Sequence, residues 1–190
     1  MAVEMKYGDY IRGGLDIVKA NLVPSCLLLL IIIVTGFVPI LGTFIAQIWV
    51  VNFMAAVKAA KHEGKPIEIV SYFNFDNAVD KLVAPAIHLI LSGLCFLIMP
   101  LTMWAAPIIA DKPGTPFMSA LKASMAFGKA NYVSSLIFGF IIGILVILSL
   151  ILCVLPAFVM IPVAQAAIFL AYDSHRSAIE AAAAEGGVKL

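Results

Sequence analysis

Charge is what this sequence has least of. Of its 190 residues only 12% are Asp, Glu, Lys or Arg, against roughly 25% in an ordinary soluble domain. Apolar residues make up 63% and the mean hydropathy is +1.09, which excludes an ordinary soluble globular chain. The 12 basic and 11 acidic side chains leave a formal charge of +1, so there is neither an acidic tail nor the basic footprint that nucleic-acid binding requires. Cysteine is scarce too. Cys26, Cys95 and Cys153 are far apart in apolar surroundings, where cysteine serves as a small packing residue and not as a disulfide framework. The sequence also lacks a Gly-rich phosphate loop ending in Lys-Ser or Lys-Thr, a His-Glu-x-x-His zinc motif, and any carboxylate inside its long apolar stretches. These absences predict a chain that is not an enzyme and uses no cofactor and no metal.

What is present is a set of charge-free runs. No Asp, Glu, Lys or Arg occurs over 20–57, 82–110 or 130–172. A membrane-crossing helix needs about 20 apolar residues, because each adds about 1.5 Å across a hydrocarbon core of about 30 Å. The first and third runs are therefore long enough for two helices each. Phe37-Val38-Pro39 is the natural break in the first and Leu155-Pro156 in the third, since proline withholds a backbone donor and restricts the residue before it. The middle run, interrupted by Pro85, Pro100 and Pro107, is too short for two full spans and longer than one requires.

Mixed-polarity segments precede these runs. Tyr7, Tyr10, Ile11, Leu15 and Val18 recur at helical spacing, with Asp9, Arg12, Asp16 and Lys19 opposite. Tyr72, Phe75, Val79 and Leu82 repeat the pattern, with Asn77, Asp80 and Lys81 as the polar side. Phe117, Leu121 and Met125 beside Lys122 and Lys129 form a weaker third case. Each reads as an amphipathic helix at the membrane interface, either packed on the bundle or inserted into lipid.

An internal repeat relates the outer runs. Lys19-Ala20-Asn21-Leu22-Val23-Pro24-Ser25 matches Lys129-Ala130-Asn131-Tyr132-Val133-Ser134-Ser135, and Ala46-Gln47 matches Ala164-Gln165 further on. The predicted architecture is thus an all-α integral membrane bundle of hairpins with interfacial helices. It forms a single domain over 1–190, with duplicated halves at about 7–60 and 117–174 joined by 67–110, and a polar tail over 175–190. If the middle run enters and returns, all 12 cations lie on one face with both termini cytoplasmic. If it crosses once, Lys112, Lys122, Lys129, Arg176 and Lys189 move to the other side. The shared Lys-Ala-Asn start of both halves favours the first arrangement.

The polar residues within the apolar runs include Gln47, Asn52, His88, Ser92 and Gln165, of which Gln47, Asn52 and Gln165 read as hydrogen-bonding ties between helices. His88 is the one ionisable group there, and it reads either as a neutral hydrogen-bonded side chain or as part of an intramembrane polar site. His62 and His175 fall in polar flanks and read as solvated. Ser135, Gly139 and Gly143 form a stripe of small residues that admits a second helix, from the same chain or another copy.

Leu97-Ile98-Met99-Pro100, Ala106-Pro107, Asp111-Lys112, Gly114 and the run from Ser119 to Asn131 carry a family resemblance. So do Cys153-Val154-Leu155-Pro156, Pro162-Val163-Ala164 and Ala171-Tyr172. Together they resemble a family of small polytopic bacterial inner-membrane proteins of unknown function, similar to the membrane domain attached to some glycerophosphodiester phosphodiesterases. The resemblance covers roughly 82–172, and it implies a polytopic membrane unit of about six helices without catalytic residues. The resulting expectation is a non-enzymatic protein whose partners are the bilayer and further copies of itself, and which organises or shapes the cytoplasmic membrane. The alternative is a transport or lipid-handling protein with Gln47, His88 and Gln165 along its path.

Overall fold

The computed structural model describes residues 3–38, 41–152 and 154–190. Among these residues the chain is all-α: α1 (Tyr7–Ala20), α2 (Leu22–Gly36), α3 (Leu41–Glu63), α4 (Ala78–Leu94), α5 (Met99–Thr102), α6 (Ala105–Asp111), α7 (Phe117–Ala130), α8 (Tyr132–Leu152), α9 (Val154–Ser174) and α10 (Arg176–Glu185). Short 3-10 turns lie at Ile69–Phe73 and Phe96–Ile98. Phe44–Glu63, Tyr132–Leu152 and Pro156–Ser174 are long and apolar enough to cross a membrane. The chain is in this respect a membrane protein with transmembrane helices. Helices α1 and α2 form a broken pair, bent by 98°.

Two hairpins form the frame, α2 against α3 and α8 against α9. In the first, Gly42 lies against the Thr35 carbonyl, so a side chain there would strike the facing helix. Helix α2 ends at Gly36, close to the expected break, whose Pro39 lies outside the described residues. The second break comes earlier than Leu155-Pro156. Helix α8 ends at Leu152 and α9 starts at Val154, with Cys153 outside the described residues. Pro156 sits in the first turn of α9, where a missing N–H leaves no intrahelical bond unmade.

The frame has two unlike ends. Lys58, Lys61, Lys112 and Arg176 are held together by ion pairs with Asp111, Asp173 and Glu180, so α3, α6 and α9 all finish at one end, the near end. The middle run comes back to it. Tyr132 Oη donates to the Leu97 carbonyl (2.7 Å), Ser124 Oγ to the Leu101 carbonyl (2.9 Å) and Tyr172 Oη to Asp111 Oδ2 (2.9 Å). Residues 97–111 therefore stay beside α7, the first turns of α8 and the last turn of α9. Pro100 and Pro107 occupy first turns of α5 and α6, which suits their missing donors, while Pro85 lies inside α4.

The amphipathic segments are placed differently from one another. Helix α1 buries Tyr10, Gly14 and Val18 and packs mainly on α9. A Cβ at Gly14 would come within 2.9 Å of the Val163 carbonyl oxygen, so the glycine lets the two backbones cross closely. Tyr7, Ile11 and Leu15 flank that contact half-buried, with Asp9, Arg12, Asp16 and Lys19 exposed. Helix α7 turns inward the small face Ala120, Ala123, Ser124, Phe127 and Gly128, leaving Leu121 and Met125 half-buried. The segment from Tyr72 to Val79 is not one helix, contrary to its spacing. The 3-10 turn ends at Phe73, Asn77 adopts the left-handed conformation (φ 54°), and α4 starts only at Ala78. Tyr72 is buried while Phe75 and Val79 are exposed. The polar tail also contains structure: α10 docks on α7 and buries Ile179 and Ala183.

Candidate functional site

The densest chemistry lies at the near end, built from residues that the sequence offers only as boundaries of apolar runs. The Asp111 carboxylate is buried. It pairs with Lys58 Nζ (2.9 Å) from α3 and with the Arg176 guanidinium from α10, and it accepts the Tyr172 hydroxyl from α9. Lys58 also donates to the Asp111 backbone carbonyl (2.7 Å). Asp173 collects Lys61 (2.6 Å) and His62 (3.0 Å) alongside. Four helices are thus fastened by one buried carboxylate. The carboxylate is fully engaged by local partners, although Arg176 Nε is buried without a hydrogen bond, so the chemistry of the cluster is that of a clasp.

The two repeated Lys-Ala-Asn corners do the same job. Asn21 Nδ2 donates to the Ile17 carbonyl (3.0 Å), closing α1, and Asn131 Nδ2 donates to the Phe127 carbonyl (3.2 Å), closing α7. The amide oxygens then each accept a distant backbone N–H at 2.8 Å, from Ile67 and from Val3. The symmetry is local, because α1 packs on α9 whereas α7 packs on α4, α5, α6 and α10.

His88 is half-buried in α4, with Nδ1 2.7 Å from Thr102 Oγ1 and 3.3 Å from Ser92 Oγ, tying α4 to α5. Gln47 and Gln165 are half-buried in α3 and α9. The main partners of α4 are α3, α5, α6 and α7, so His88 is not brought to Gln165. Grooves of about 340 to 500 Å³ are lined by other residues. His175 is half-buried, not solvated: Tyr10 Oη lies 3.0 Å from its Nε2, and burial lowers its pKa.

The small-residue stripe of α8 divides. Ser135 is buried and accepts the Trp104 indole N–H (3.3 Å), and Gly139 is covered by the Met99 side chain. Gly143 faces open space. Along the outer side of α8, Val133, Ile137, Phe140, Ile144, Ile147 and Ile151 are exposed at helical spacing, as a lipid-facing stripe must be.

One further polar feature lies between α3 and the α4–α6 segment. The loop after the 3-10 turn descends beside α3, where Asn52 Nδ2 donates to the carbonyls of Tyr72 (2.6 Å) and Asn74 (2.8 Å). Tyr72 Oη in turn donates to the Pro24 carbonyl (3.0 Å), and burial raises its pKa. The result is a groove of about 500 Å³ with Ala55, Ala56 and Ala59 on one wall and Lys81, Asn74 and Asp76 on the other. Comparison of the chain with family models, curated proteins and solved structures gives no match.

Proposed function

We propose that this chain is a non-enzymatic protein of the cytoplasmic membrane that organises or shapes the bilayer through self-association. The observation that carries the reading is the unequal bulk of the two ends. The near end holds α1, α6, α7 and α10, whereas among the described residues the far end receives the distal turns of α2, α3, α8 and α9. A body wider at one leaflet than the other favours curved lipid. The exposed outer side of α8, with Gly143 open on that helix, supports contact between copies. The concentration of cations at the near end favours a cytoplasmic position for it and for both termini. The resemblance to a small inner-membrane family fits the same proposal.

The test is cryo-imaging of liposomes with and without the reconstituted protein. Tubes, buds or ordered arrays are expected, and Gly143→Leu is expected to reduce the arrays while leaving the fold intact. Smooth vesicles at high protein density would overturn the proposal. Transport along Gln47, His88 and Gln165 has less support, because the three residues line no common groove among those described.

A further inference from the structure

The groove beside α3 holds a lysine in an unusual setting. Lys81 is 6% exposed, and its ammonium donates to the Asn74 backbone oxygen (3.0 Å) and to Asn74 Oδ1 (3.2 Å). Among the described residues it forms no ion pair, whereas the other buried charge, Asp111, pairs with Lys58 and Arg176. An ammonium has three protons to donate and a desolvated one needs an anion. Asp76 stands exposed on the lining of the same groove, outside any ion pair among the described residues but near enough to act on Lys81 through space. The groove therefore presents a cation deep inside and an anion toward its mouth. Around it the loop exposes Ile69, Val70, Phe73, Phe75 and Val79, a surface fit for acyl chains.

We infer that this groove binds a zwitterionic phospholipid headgroup, its phosphate on Lys81 and its ammonium on Asp76. A free phosphate meets both signs at once and gains little, whereas phosphoethanolamine carries both charges in the matching order. The inference does not depend on the shaping proposal, since occupancy is read on protein in detergent, without a bilayer to bend. The experiment is native mass spectrometry of the full chain with phosphatidylethanolamine or phosphatidylglycerol of equal chain length, and with inorganic phosphate or phosphoethanolamine as soluble competitors. The expected result is retention of phosphatidylethanolamine at least tenfold above phosphatidylglycerol, a loss of at least tenfold in Lys81→Met, and an Asp76→Asn variant in which the preference between the two lipids disappears. Equal retention of phosphatidylethanolamine by Lys81→Met, an unchanged lipid preference in Asp76→Asn, or displacement of lipid by inorganic phosphate would each overturn it. Should Lys81→Met not fold, the exposed Asp76→Asn substitution decides the matter alone.

Discussion

At the scale of single residues, stability concentrates where charge is withdrawn from water. Removing the Asp111 charge as Asp111→Asn leaves Lys58 and Arg176 facing each other across a buried site. Breaking a buried pair from one side typically costs about 3 to 5 kcal/mol. The Lys58 and Arg176 side chains are 35% and 36% exposed, which lets water recover part of that, so a loss of about 2 kcal/mol is expected in denaturation of the detergent-solubilised protein. Lys58→Met should cost less, since Arg176 still answers the carboxylate. His175 adds a pH dependence of known sign. Its folded pKa lies below the free value of 6.5 because burial disfavours the charged ring. Its contribution is present above about 6.5 and is lost as pH falls from there toward the folded pKa, because the unfolded chain takes up the proton first. The wild-type melting temperature should therefore drop between pH 7 and pH 5 more than that of His175→Gln. Neither site was legible from sequence. Asp111, Lys58 and Arg176 are far apart in the chain, and nothing in their local spacing announces a shared contact.

At the scale of elements, hydropathy identified the long helices because their outer sides need only be apolar. It misplaced the contacts of the short ones, where buried faces are made of small residues. On α7 the apolar residues Leu121 and Met125 draw the eye, yet Gly128 makes the closest approach. A Cβ there would collide with the Pro100 carbonyl and reach within 2.8 Å of Leu101 Cα, so Gly128→Ala should separate α7 from α5. Overpacking of this kind costs about 1 to 3 kcal/mol. Gly8→Ala, with open space around it, should be neutral or slightly stabilising in the same assay. The segment from Tyr72 to Val79 misled for a different reason: its apolar spacing suits a helix, but the left-handed backbone at Asn77 breaks the run, and Phe73 and Phe75 both pack edge-on against Trp49.

At the scale of the whole molecule, the sequence leaves two topologies open, and the contacts of Leu97, Leu101 and Asp111 place residues 97–111 at the end where α3 and α9 finish. In a background free of cysteine, single cysteines at Lys122 and at Phe37 should therefore react with an impermeant reagent from opposite sides of a sealed vesicle. Labelling of both from the same side would contradict the assigned ends. The docking of α1 on α9, together with the bond from Val3 N to Asn131 Oδ1, carries a consequence for biosynthesis. Helix α1 has its main partner in α9, with α2 to α8 between them in the chain, so α1 cannot dock until all of those have been made. During that interval the face of α1 that carries Gly14 lacks its cover and is open to protease and chaperone, and it is protected only once the α8–α9 hairpin has closed over it.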